Sequence, residues 1–291
     1  MAFKWVLWAL AESAFRRHFV AKPTLSLIAS ILLLGLAACS TPEVPQQVEM
    51  PADKLYDDAL RLAQSGEPAK AATKFEEVER QHPYSDLAVR AQIMAAWAFY
   101  QSNDYPRAVA SLERFVELNP ADPLVEYALY LRALSYYEQI VNVERDAEMT
   151  QLALNAFEEL MRRFPNGEYG RDAQLKADLA RSHLAGKEMA VGRFYAEGGF
   201  SAAALTRFEK VVREYETTNQ VPEALYRIVE VYLSLGLVDE ADRVGSVAVY
   251  NYPDSFWTKE LLALAADPSR KLPKGMFQRA VESVAGLFDR E

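Results

Sequence analysis

The chain is 291 residues long, 51% hydrophobic and 25% charged, with a formal net charge of −9; that length suits one large domain or an array of repeats. An acidic body excludes the basic footprint of a nucleic-acid partner, and it excludes docking on anionic lipid by charge alone. The single cysteine excludes an internal disulfide.

Residues 1–38 read as a secretory signal. Lys4, Arg16, Arg17 and Lys22 stand against Glu12, the apolar run Leu25–Leu36 follows, and the small residues Ala37 and Ala38 precede Cys39. The 22-residue cationic lead is long for a signal: either the signal is extended or translation starts downstream. The order L-A-A-C at 36–39 is similar to the lipobox of bacterial lipoproteins. That resemblance implies cleavage before Cys39, a diacylglycerol on its thiol and acylation of the new amino terminus. Stable anchoring takes more than one chain, so a triacylated Cys39 would tether a soluble body to a bilayer. Ser40, where an aspartate would favour the inner membrane, implies the outer membrane, inner leaflet, with the body facing the periplasm. Removing 1–38 leaves 253 residues carrying about −12, so membrane attachment falls to the lipid. No later stretch approaches the ~20 apolar residues of a membrane span. Residues 39–52, with three prolines and no helical period, read as the lipidated cysteine and its extended tether.

From residue 53 the chain repeats itself. Ala71 precedes Phe75 by four residues, as Ala108 precedes Leu112, Ala153 Phe157 and Ala204 Phe208; Ala241 is a fifth anchor, with Gly245 in the bulky slot. Twelve residues beyond lie Pro83, Pro120, Pro165 and Pro253, with Glu216 in the fourth unit. Twelve before lie Ala59, Ala96, Gly192 and Val229. In the third unit Ala133 fits better than Val141, which implies an insertion of about eight residues within 138–150. Three positions after these small residues come Leu62, Phe99, Tyr136, Tyr195 and Tyr232. Small residues where helices cross, bulky ones filling the gap and a proline that cannot continue a helix make the tetratricopeptide pattern.

The predicted fold is all-α, a tetratricopeptide-repeat solenoid of about five helix pairs. Units span about 52–83 (turn at 65–68), 86–120 (turn at 102–104), 122–165, 170–216 and 220–253 (turn at Gly236). The fourth opens on a long helix, Arg171–Tyr195, broken at Gly198-Gly199. Gly186 and Gly192 inside it each cost roughly 1 kcal/mol of helix propensity relative to alanine; close packing of a neighbour or flexibility would account for them. This organises the body into repeats one to three (53–165), repeats four and five (166–266) and a tail (267–291). Trp257–Ala266 reads as one more helix. Residues 275–288, with Phe277, Val281, Val284 and Phe288 at helical spacing, either cap the last repeat or order on a partner.

Groups for catalysis are missing. His18 lies in the signal, His82 beside Pro83 suits a helix end, and His183 stands alone on a helix, so no metal-ligand spacing arises. The nucleophile and phosphate motifs are absent, and adjacent acids such as Glu76-Glu77 do not share a helix face. We therefore expect no enzyme activity and no cofactor beyond covalent lipid on Cys39. Binding remains. Solenoids take extended peptides on the face lined by first helices, where Tyr56, Trp97, Tyr100, Tyr127, Tyr130, Tyr136 and Tyr137 fall, most of them core. A groove of Tyr56, Trp97, Tyr100 and Tyr127 with Arg90 and Arg132 would suit a peptide ending in an aromatic and a carboxylate.

The stretches L-A-A-C at 36–39, H-P-Y-S at 82–85, R-F-V-E-L-N-P-A-D-P at 114–123, Y-A-L-Y-L-R-A-L at 127–134, R-F-P-N-G-E-Y at 163–169 and V-G-R-F-Y-A-E-G-G-F-S-A-A-A-L-T-R-F at 191–208 together resemble the BamD family of outer-membrane β-barrel assembly lipoproteins. The resemblance implies that the amino-terminal repeats receive segments of unfolded outer-membrane proteins. It implies that the carboxy-terminal repeats hold a periplasmic domain of the barrel subunit BamA, beside other assembly-complex lipoproteins. Arg207 matches an arginine that contacts BamA in the family, with Phe200 and Phe208 in the same docking stretch. The family often has an arginine where this chain has Gly198. The alternative is another periplasmic tetratricopeptide lipoprotein, such as a coordinator of cell-wall synthesis.

Overall fold

Two backbone signals recur along the body and lay out the array. The first lies between the helices of a unit. Gly66, Asn103, Gly199 and Gly236 have φ of +80°, +61°, +77° and +75°, the left-handed state that ends a helix without a Cβ penalty in glycine and with a small one in asparagine. Beyond each, an N–H donates back to the position that sequence spacing marks as bulky: Glu67 to Leu62, Asp104 to Phe99, Phe200 to Tyr195 and Leu237 to Tyr232, each at 2.9 Å. The second signal ends a unit. His82, Asn119, Phe164, Tyr215 and Tyr252 share φ near −130° with ψ of 38–69°, outside the helical region, which a following proline disfavours in all but Tyr215. Tyr215 adopts it before Glu216, held by Thr218, whose N–H and hydroxyl both donate to the Tyr215 carbonyl at 3.0 and 2.8 Å.

The computed structural model describes residues 49–140, 147–267, 277 and 281–282. The signal peptide, Cys39 and the tether before Glu49 lie outside the described residues, as do 141–146 and most of the tail. Among the described residues there are eleven helices. Unit one pairs α1 (Ala52–Gln64) with α2 (Pro68–Gln81), and unit two pairs α3 (Asp86–Gln101) with α4 (Tyr105–Leu118). Unit three pairs α5 (Val125–Tyr137) with α6 (Glu148–Arg163), and unit four α7 (Gly170–Glu197) with α8 (Ser201–Glu214). Unit five pairs α9 (Val221–Ser234) with α10 (Val238–Asn251), and α11 (Phe256–Ala266) follows. Each helix packs on the next, first helices also touch along the array (α1 on α3, α3 on α5), and α11 lies on both α9 and α10. This is the all-α tetratricopeptide solenoid the spacing predicts.

The expected anchors are the core. Ala71, Phe75, Ala108, Leu112, Ala153, Phe157, Ala204, Phe208 and Ala241 are fully buried, against Ala59, Ala96, Ala133 and Val229 on the first helices. The insertion sits where expected but ends earlier. Ten residues, 138–147, separate α5 from α6, against three in the other units, and Glu148–Thr150 already belong to α6. Side-chain caps start α3, α4 and α11: Ser85, Asp104 and Ser255 accept from the N–H of Leu87, Arg107 and Trp257 at 3.2, 3.4 and 3.3 Å. His82 does more than end α2. Its ring nitrogen donates to the Met50 carbonyl at 2.7 Å, fixing where the chain enters the body.

The two glycines of the fourth turn differ. Gly198 has φ −75°, whereas Gly199 requires the left-handed state. Gly199→Ala is expected to cost about 1–2 kcal/mol, and Gly198→Ala distinctly less. Urea denaturation of the two variants decides it; equal losses would remove the turn argument.

Candidate functional site

The face carried by the first helices of units one to three holds an open hollow of about 390 Å³, lined by Tyr56, Arg90, Ile93, Met94, Trp97, Leu124 and Tyr127. That volume lies within the range of clefts that hold ligands. Helix geometry explains the set. Arg90, Ile93, Met94 and Trp97 recur at three- and four-residue spacing, so they share one side of α3, while Tyr56 comes from α1 and Tyr127 from α5, the two neighbouring first helices that α3 touches.

The two tyrosines are held from behind. The Tyr56 ring meets Phe75 edge-on, centroids 5.4 Å apart, and the Tyr127 ring tilts on Tyr169 at 5.8 Å. Burial raises the Tyr56 phenol, with Arg90 pulling the other way. Burial pushes Tyr127 up to about 12, so it stays a neutral hydrogen-bond donor. Arg90 is exposed at the wall and has no ion-pair partner among the described residues. Other arginines of the same repeats are taken: Arg107 by Glu76 at 3.0 Å, Arg114 by Glu79 and Arg132 by Glu159. An apolar bowl with one uncommitted cation at its rim can take an aromatic side chain beside a carboxylate.

Two expected groove residues are not in its lining. Arg132 is only 13% exposed and clasped by Glu159 of α6; its Nε is buried without an acceptor. It braces unit three internally through that carboxylate. Tyr100 directs its hydroxyl at Glu138, 3.5 Å away, and its ring edge at Tyr105, centroids 5.8 Å apart. Sequence reading passed over Ile93, Met94 and Leu124. The three-and-four spacing from Arg90 to Trp97 was the available signal for the first two.

The carboxy-terminal stretch divides into one core residue and two surface ones. Phe208 is fully buried, and a Cβ on Gly192 would overlap its ring. Its expected place among docking residues is therefore corrected: it is the side chain for which α7 keeps a glycine, which also answers the packing question raised by Gly192. Phe200 is 62% exposed, and its ring crosses Gly198, where a Cβ would come to 3.0 Å. An arginine at Gly198 would compete with that ring. Arg207 is 39% exposed and donates to Glu188 at 2.9 Å, with Lys210 on the other oxygen at 2.6 Å. Burial works to raise Glu188, but the hydrogen bonds from Lys210 and Arg207 outweigh it and hold the carboxyl below its ordinary value. The guanidinium is thus presented in a fixed position with an edge to solvent. Phe194, 70% exposed on the last turn of α7 with its ring 6.0 Å from that of Tyr195, was not singled out from sequence.

Among the described residues no cluster of His, Cys, Asp and Glu could hold a metal ion, and no helix is long and apolar enough to cross a membrane. The YfiO family model, described as an outer membrane lipoprotein, matches residues 48–247. The outer membrane protein assembly factor BamD of Caulobacter vibrioides is 41% identical over 254 residues, 86% of this chain and 83% of that one. The protein of the same name from Rickettsia prowazekii is 40% identical over 233 residues, 79% of this chain and 93% of that one. Among solved structures, a thermophilic TPR protein of Thermus thermophilus matches with a TM-score of 0.34 at 18% identity, over 73% of this chain and 98% of that one.

Proposed function

The chain belongs to the YfiO family of outer-membrane lipoproteins, and from that premise we propose that it is a non-enzymatic, lipid-anchored scaffold of the outer-membrane β-barrel assembly complex. Lipid on Cys39 holds it to the inner leaflet of the outer membrane, facing the periplasm. The amino-terminal hollow receives segments of unfolded outer-membrane proteins. The carboxy-terminal surface at Phe200 and Arg207 docks the periplasmic domain of BamA, and other lipoproteins of the complex join it. The relatives' shared name, outer membrane protein assembly factor, supports this reading over that of a cell-wall coordinator.

One observation carries the peptide part: Tyr56, Trp97 and Tyr127 converge around the uncommitted Arg90. The test is fluorescence anisotropy with a labelled peptide ending in an aromatic residue and a free carboxylate. Trp97→Ala removes a buried interface aromatic, worth about 2 kcal/mol or more at a hot spot, so affinity should fall at least about thirtyfold. Arg90→Ala should weaken the free-acid peptide about tenfold and leave its carboxamide form unchanged. Equal losses for acid and amide would overturn the role of Arg90, and unchanged affinity in Trp97→Ala would overturn the hollow as the site. Co-purification with a large barrel protein from detergent extracts, and loss of barrel proteins on depletion, test the assembly role; normal barrel levels would sink it.

A further inference from the structure

In units one to four the second helix supplies its own bulky side chain at the crossing: Phe75, Leu112, Phe157 and Phe208, all fully buried. Unit five has Gly245 there. Its slot is nevertheless full. Phe277, 32 residues downstream, is 1% exposed, and a Cβ on Gly245 would overlap its ring. The Phe277 N–H donates to Asp242 Oδ1, one turn before Gly245, at 2.8 Å. The family match stops at residue 247, so α11 and Phe277 lie beyond the region it covers.

We propose that the socket over Gly245 is a docking site for an aromatic side chain on a tight turn, and that its occupant is the chain's own tail, strapped back through Phe277. Three features fit a strap and not a permanent piece of core. Among the described residues one ring carries the contact, where the other units build theirs into a helix. Among the described residues one directed hydrogen bond, to Asp242, sets its register. Phe277 also holds φ of +61°, a state costly for a bulky residue, so part of what burial gains is spent on the turn. Residues 281 and 282 are helical, and the Val281 N–H donates to the Phe277 carbonyl at 3.0 Å. The rest of the expected helix 275–288 lies outside the described residues. Between the two sequence readings of the tail, the socket favours the cap.

The test uses the full chain in detergent and a labelled peptide of residues 270–286. In the wild type a tethered Phe277 occupies the socket at high effective concentration, so little peptide should bind. In Phe277→Ala the socket is vacant, and the peptide should bind at least tenfold tighter than to the wild type; a peptide carrying the same Phe277→Ala change should not bind. Loss of the ring also lowers stability, so a second variant separates vacancy from unfolding. Gly245→Leu in the Phe277→Ala background should refill the slot, recover the lost thermal stability and abolish peptide binding, while the tail stays susceptible to protease. Equal peptide binding by wild type and Phe277→Ala, or undiminished binding once Gly245→Leu is added, would overturn the proposal.

Discussion

Phe208→Ala should cost about 3–5 kcal/mol, the range for removing a buried phenylalanine from a packed core. The ring lies fully buried in the notch that Gly192 leaves in α7, and alanine at 208 would leave facing positions with almost no side chain, so the gap closes poorly. The loss should also be local. In a solenoid each repeat contacts only its neighbours, so hydrogen exchange should rise first in α7, α8 and α9 and later, if at all, in α1 to α4. A double-mutant cycle tests the pairing itself. Gly192→Ala in the wild type gains about 1 kcal/mol of helix propensity but forces a methyl into the ring, a kind of overpacking that costs about 1–3 kcal/mol. With Phe208→Ala present the clash is gone, and the same change should stabilise. If Gly192→Ala stabilises both backgrounds equally, the glycine is not there for Phe208.

That pairing shows which part of the molecule is legible in its sequence. Small and bulky residues at fixed offsets, Ala71 with Phe75 or Ala204 with Phe208, express constraints that repeat in every unit, so five weak signals reinforce one another. The left-handed turns are legible for the same reason, because glycine or asparagine stands at each of them. Phe208 shows the limit. Its neighbourhood marks it as part of a docking stretch, while its spacing marks it as core, and burial follows the spacing. Arg132 shows another limit: an arginine on a first helix reads as available until the glutamate facing it is known, and Glu159 lies 27 residues away on α6. Arg90 is likewise an arginine on a first helix, yet it has no ion-pair partner among the described residues. Only tertiary structure separates the two. Phe277 was legible as an apolar position in a tail, and Gly245 as a defective anchor, but no local rule joins residues 32 positions apart. The gap in the repeat was the only trace of their contact.

Cys39→Ser should produce the largest change in where the protein resides. An acidic body gains nothing from anionic headgroups, and on the proposed reading attachment rests on lipid or on partners. A single myristoyl chain binds with an association constant of only about 10⁴ M⁻¹, and each further buried methylene adds about 0.8 kcal/mol. On the proposed reading a triacylated cysteine therefore anchors stably, and its serine replacement should leave the outer-membrane fraction. The structure says which contacts could compensate. The chain enters the body at Met50, pinned by His82, whereas Phe200 and Arg207 lie three repeats further on in unit four. A partner held there could keep the unlipidated protein at the membrane. Fractionation of Cys39→Ser, Arg207→Glu and the double variant separates the two routes. Release of Cys39→Ser alone makes lipid the dominant anchor; retention of Cys39→Ser with release of the double variant would give that role to the partner surface. Retention of all three would overturn both the anchor and the docking assignment, because neither group would then account for the protein's place at the membrane.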